Sequence, residues 1–197
     1  MRILSGYQNT NNDANTLDNT VSFDGELYSI DPNKFDPSFF TIERLALSLS
    51  KLSRYNGHIG EINEFYSVAQ HSTLIADVFF LSGEIETAEQ ALLHDAIEAI
   101  VFGDIPTPTK RKIKEQYDTI SNPLEEKLFK HYKIEYPINK EIKIVDRNLA
   151  QIEMTFGLKN KMYFDYWSIE KSYRNFINMW AKIQIIKKYK DLPFKTY

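Results

Sequence analysis

The chain of 197 residues contains no cysteine. That absence removes disulfides, thiolate zinc sites, iron–sulfur clusters and cysteine nucleophiles at once. Any resident metal must be held by histidine and carboxylate, and histidine itself is scarce, at four residues. Glycine and proline are few, seven of each, which leans towards helices. No run of about 18 apolar residues is available to cross a bilayer. The opening MRILSGYQNT has neither a basic head leading into an apolar stretch nor a cleavage site, so a cytoplasmic location without membrane association is expected. An excess of positive charge is missing too. A net charge of −3 and a pI of about 5.8 disfavour a protein that coats polymeric nucleic acid, and a small molecule is the better match.

What is present is ordinary for one globular domain, with 43% hydrophobic and 26% charged residues. The near-neutral total hides an asymmetry. Residues 1–100 carry 5 Lys/Arg against 15 Asp/Glu, and residues 101–197 carry 19 against 12. Either the halves attract each other, or the basic half faces an anionic ligand, or solvated helix faces merely segregate.

The first forty residues read as an N-terminal extension. A polar stretch at 9–20 predicts a surface loop, flanked by short apolar pieces at Arg2–Leu4 and Glu26–Ile30 that predict a small β-ribbon. Asp31-Pro32 and Asp36-Pro37 mark turns. From Thr41 to the C-terminus the period is helical, and an all-α bundle over 41–197 is expected. Ile42, Leu45, Leu49 and Leu52 form one stripe behind a Thr41 cap. Val68, His71, Ile75, Val78 and Phe79 mark a helix over 67–81 that stops at Ser82-Gly83. A third helix is predicted over 86–101, stopped by Gly103 and the PTP run. Asn122 reads as the N-cap of the next, with Pro123 at its first position and an end near Tyr132. Ile138, Ile142, Val145, Leu149, Ile152 and Phe156 predict a helix buried along its length. Ile169, Tyr173, Phe176, Trp180 and Ile183 predict the last one.

Four metal-capable groups fall on or beside these core-facing stripes: His71, His94, Asp95 and Asp146. Any one of them alone reads more simply as a hydrogen-bonded core residue. As a set they include two carboxylates whose burial unpaired would cost several kcal/mol, and a shared divalent cation removes that cost. Two imidazoles with two carboxylates suit Mn, Fe, Co, Ni or, less well, Mg, and zinc is also admitted. The HDAIE of 94–98 lacks the second histidine of HExxH, so a zinc peptidase is a poor reading.

His71, His94-Asp95 and Asp146, in that order on successive helices, resemble the H…HD…D signature of the HD-domain metal-dependent phosphohydrolases. The segments SRYNGH (53–58), FYSVAQHS (65–72), ALLHDAIEA (91–99) and GDIPTPTK (103–110) resemble the branch acting on deoxynucleotides, the bacterial 5′-deoxynucleotidases and phage-type dATP triphosphohydrolases. The resemblance implies one divalent metal on His71, His94, Asp95 and Asp146. It implies Glu98 as the residue that orients or deprotonates the attacking water, and Asp104 as the proton donor to the leaving oxygen. Arg54 becomes the phosphate clamp, and Tyr55 an aromatic shaping the sugar pocket. Two intervals depart from the pattern: Glu98 to Asp104 is one residue longer, and Arg54 to His71 slightly longer.

The residues beside these motifs admit two readings each. His58 is either a substrate or second-layer contact or a hydrogen-bonded turn residue. Lys110, with Arg111 and Lys112, either meets a phosphate tail or forms a solvated loop. His131, at a helix end, is given no function. The expected activity is release of phosphate from a dNTP or dNMP by an enzyme that self-associates. The rivals are an HD hydrolase of a signalling nucleotide such as ppGpp and a non-catalytic binding module stapled by metal.

Overall fold

The computed structural model describes residues 20–23, 25–58, 64–158 and 164–190. It is an all-α bundle with one hairpin. Strands β1 (Thr20–Phe23) and β2 (Glu26–Ser29) pair antiparallel, Thr20 opposite Ser29 and Phe23 opposite Glu26. The predicted partner strand at Arg2–Leu4 and most of the predicted loop lie outside the described residues, and Thr20–Phe23 is the partner seen.

The segment after the hairpin is pinned to the bundle by aromatics. Tyr28 packs edge-on against Phe40, which stacks on Phe35, and both phenylalanines are buried. Tyr28 Oη donates to the carbonyl of Ile100 at 2.6 Å. The two Asp-Pro turns form as expected: Asp31 accepts from Asn33 N–H, and Asp36 caps a short 3₁₀ turn at Pro37–Phe39.

Seven α-helices follow among the described residues. α1 (Ile42–Lys51) starts where Thr41 Oγ1 accepts from Arg44 N–H and buries Leu45, Ala46 and Leu49. α2 (Val68–Leu81) is capped by Ser67 and ends at Gly83, whose φ of 80° gives the left-handed residue that lets the chain turn back. α2 is buried on nearly every side because α1, α3, α6 and α7 all pack around it. α3 (Ile85–Leu93) faces it with Ala88, Ala91 and Leu92. α7 (Ile169–Tyr189) begins at the Ser168 cap, buries Phe176, Met179 and Ile183, and lies across α1, α2 and α3. It is fastened to α3 by Glu89, which pairs with Lys187 and accepts from Gln184 at 2.6 Å. Lys190 and Glu86 make a second such pair, so the charge asymmetry is partly spent holding the halves together.

Three predicted helices differ in the structure. The third does not run unbroken to Val101: α-helical hydrogen bonding stops at His94-Asp95, and a π-helical turn occupies Glu98–Phe102. The helix expected to start at Asn122 starts at Lys114 and runs to His131 (α5, after the short α4, Thr107–Lys112), with Pro123 inside it. Proline there forfeits one N–H bond, and burial of Ser121, Leu124, Leu128 and Phe129 on either side outweighs that loss. The helix expected to be buried throughout (α6, Lys140–Ile152) buries only Ile142 fully, while Ile152 and Phe156 are exposed. It lies at the edge of the bundle, and a second π-helical turn follows at Glu153–Leu158. Among the described residues no helix is long and apolar enough to cross a membrane.

Candidate functional site

Backbone pairing first brings Arg54 to α2. Arg54 N–H donates to the Tyr66 carbonyl at 2.8 Å and Val68 N–H to the Leu52 carbonyl at 2.9 Å, a one-residue bridge that sets the Arg54 turn against the first turn of α2. Tyr55 and Asn56 then adopt left-handed φ of 55° and 52°, unusual for residues with side chains. Asp104 supports this turn, its Oδ2 accepting from Tyr55 N–H at 2.5 Å. His71 projects from the second turn of α2, His94-Asp95 from the break after α3, and Asp146 from the inner face of α6.

The histidine tautomers follow from their partners. His71 Nδ1 lies 2.7 Å from Glu153 Oε1 and His94 Nδ1 lies 2.7 Å from the Ala91 carbonyl. A carboxylate and a carbonyl only accept, so both Nδ1 atoms carry protons. Each Nε2 therefore faces the centre: that of His71 is 2.9 Å from Asp146 Oδ1 and 3.9 Å from Asp95 Oδ2, and that of His94 is 3.2 Å from Asp95 Oδ2. Imidazole nitrogens facing carboxylates are matched either by a ring proton or by a cation between them. One ligand atom each from His71, His94 and Asp95 lie within 4.8 Å of one another, a group that can hold a metal ion. His94 Nε2 is buried and makes no aligned hydrogen bond.

Electrostatics agree. Burial disfavours charge on His94, but the Asp95 carboxylate outweighs it and raises its pKa to about 9. Burial also pushes Asp95 up, yet His94, His71 and Arg54 hold it well below the usual carboxylate range. Asp146 is lowered too, burial being outweighed by its hydrogen bond and charge interaction with His71. Glu98 goes the other way: burial and then the Asp95 charge raise it to about 8, against the pull of Lys110.

These groups line a cavity of about 970 Å³. Of the predicted site residues, Arg54, Tyr55, His94, Asp95, Glu98, Asp104, Lys110 and Asp146 are on its wall, and His71 is buried behind it. His58 is exposed and does not line the cavity; the turn that carries Arg54 inward turns His58 out. Lys110 does not project free towards a ligand: its Nζ pairs with Glu98 Oε1 at 2.7 Å. The basic half of the chain supplies further cations to the wall, namely Arg111, Lys114, Lys143 and Arg147. Arg54 Nε, His94 Nε2 and Glu98 Oε2 are buried without hydrogen-bond partners among the described residues, and all three belong to this wall. Each of these three atoms calls for a partner, which a ligand or water in the cavity can supply; the Ser50, Ser72 and Ser172 hydroxyls are unpaired among the described residues away from it.

Glu153 and Tyr66 were not expected. Glu153 is fully buried behind His71, accepts from Tyr55 Oη at 2.6 Å and from Tyr66 Oη, and lies 3.6 Å from Arg54 Nη2. Burial would raise its pKa, but His71 and Arg54 lower it to about 2. The signal was its position seven residues after Asp146, on the same helix face.

No protein-family model matches the chain. It is similar to the uncharacterized protein YfdR of Escherichia coli K12, 39% identical over 90 residues, which are 46% of this chain and 45% of that protein. The match therefore spans about half of the relative's length.

Proposed function

We propose that the protein is a metal-dependent hydrolase of the HD-domain type that releases phosphate from a deoxynucleotide, a dNTP such as dATP or a dNMP. One observation carries the reading: the inward-facing imidazole nitrogens and carboxylates of His71, His94, Asp95 and Asp146 meet at a cavity wall that also holds Glu98 and a buried arginine. The four residues would hold one divalent cation of the Mn, Co, Fe, Ni, Mg or Zn group. When bound, that cation supplies positive charge against the phosphoryl group and activates water.

The chain's own groups do the rest. Arg54 offers a planar fork that matches two phosphate oxygens, and its charge is held firmly because Glu153 and Asp95 outweigh the cost of burial. Glu98, with one oxygen on Lys110 and the other unpaired, is assigned the orientation of the attacking water, or its deprotonation at a pH where its raised pKa leaves it ionised. Lys143 and Arg147 draw the anion in and offset charge on the phosphate tail, while Lys110 stays paired with Glu98. Asp104 is assigned protonation of the leaving oxygen, a role its wall position allows and its hold on Tyr55 N–H constrains. Tyr55 forms the side of the sugar pocket. In phosphoryl transfer such positioning and charge stabilisation are most of catalysis.

The test is phosphate release from a panel of dNMPs, dNTPs, NMPs and ppGpp with Mn²⁺, Co²⁺ or Mg²⁺, and with chelator. Release from deoxynucleotides that chelator abolishes is expected. Release from ppGpp alone would move the reading to a signalling nucleotide, and hydrolysis of none under any metal would overturn it.

A further inference from the structure

The proposed reaction makes no use of the most completely buried carboxylate near the site. Glu153 opens the π-helical turn after α6 and has no exposed surface. Its Oε1 receives His71 Nδ1–H at 2.7 Å and the Tyr66 hydroxyl, and its Oε2 receives the Tyr55 hydroxyl at 2.6 Å with Arg54 Nη2 at 3.6 Å. A carboxylate offers about four acceptor positions; three are taken by hydrogen bonds, and the guanidinium of Arg54 faces the same group as an ion pair. Placing a charge there is costly unless each partner is in position. Three of those partners serve the proposed site, one as metal ligand and two as substrate wall.

We infer that Glu153 is a positioning residue: it orients the His71 ring so that Nε2 faces the cation, and fixes that ring to the Arg54–Tyr55 wall that grips the phosphate. The inference rests on the metal-site reading above. A hydrogen-bonded carboxylate behind a ligating imidazole sets its tautomer and ring angle and raises its basicity. Here the same carboxylate also faces the guanidinium. Displacement of Arg54 by an arriving phosphate is therefore felt at His71 through one rigid group. Tyr66 serves as the internal control, because its hydroxyl meets the same Oε1 but contacts neither the cavity nor the other ligands.

The experiment is calorimetric titration of the full chain with Mn²⁺, alone and then with steady-state kinetics on the deoxynucleotide that the panel selects. Glu153→Gln keeps the volume and removes the charge. It is expected to weaken Mn²⁺ binding by roughly 10–100-fold, to lower kcat and to raise KM, since both His71 and Arg54 lose their anchor. Tyr66→Phe is expected to leave Mn²⁺ affinity and both kinetic constants close to wild type while lowering the melting temperature. Should Glu153→Gln fail to fold, ¹⁵N NMR of the wild-type, metal-free protein decides: His71 protonated at Nδ1, with a downfield proton, supports the role, and the opposite tautomer overturns it. A wild-type protein that binds no Mn²⁺ defeats the metal-site reading and this inference with it. A wild-type protein that binds, beside a folded Glu153→Gln that binds as tightly with unchanged kcat and KM, defeats this inference alone.

Discussion

The bundle centre and the cavity wall are built by opposite rules. Around α2, side chains from α1, α3 and α7 meet in regular helical register, and most buried residues are apolar or small, the buried polar ones such as Gln70, Glu89 and Gln90 being hydrogen-bonded. On the wall the backbone leaves that register four times: at left-handed Tyr55-Asn56, at the break over His94-Asp95, and at two π-helical turns that each open on a buried glutamate, Glu98 and Glu153. Regular packing gives a rigid frame, whereas each irregularity re-aims one polar side chain towards a common point. π-Turns are frequent at functional sites for this reason.

Substitutions can be used to break the wall and the frame separately. The largest effect is expected from Asp95→Ala, which removes a proposed ligand and the charge facing His94 and Arg54. Mn²⁺ binding by calorimetry and phosphate release should both fall below detection while the far-UV circular dichroism is unchanged. Glu98→Gln should lower kcat by about 10²–10⁴-fold with Mn²⁺ affinity retained, a split between chemistry and binding that Asp95→Ala must not show.

Phe176→Ala attacks the frame from α7. It should cost about 3–5 kcal/mol in urea unfolding and, below the transition, leave Mn²⁺ affinity as it was. Loss of metal binding in the folded variant would mean that frame and wall are one unit. A pH dependence follows from Glu98. Its folded-state pKa of about 8 lies above the ordinary 4.5, so the folded state binds more protons than the unfolded one between those values, and stability of the metal-free protein should decline as pH rises through that window. Between about pH 5 and 6.5 the slope should approach about 1.4 kcal/mol per pH unit and flatten in Glu98→Gln; above that His94, also raised, to about 9, adds a decline of the same sign. Smallest is Thr41→Ala, where loss of the α1 cap should cost about 1 kcal/mol in thermal unfolding with no change at the site.

The frame was legible because apolar spacing and caps are local: Thr41 caps α1 as expected, α2 starts at Ser67 as expected, and the Phe176–Ile183 stripe is buried as spaced, with Ser168 adding a cap that the sequence reading does not name. At Asn122-Pro123 a strong local start signal lost to burial on both sides of it, which sequence alone does not register. Most of the wall residues were legible as a set of residue types, yet their couplings were not. α6 shows why. Counting only apolar positions put Ile152 and Phe156 inside. At 100° per residue Glu153 falls about 20° from buried Ile142, while Ile152 falls about 80° to the other side. The inner face reads Ile142, Asp146, Leu149, Glu153, with every other position charged. A charged residue on a core face is discounted by a reading based on hydropathy, which hides Glu153, whereas His58 draws notice as a histidine within a motif although the turn faces it outward.

The central claim is that the irregular wall assembles a single cation site, and anomalous diffraction from crystals grown with Mn²⁺ tests it most directly. The account predicts one strong peak per chain within coordination distance of His71 Nε2, His94 Nε2, Asp95 and Asp146. A peak elsewhere on the chain, or none at a concentration that saturates binding in solution, would contradict it.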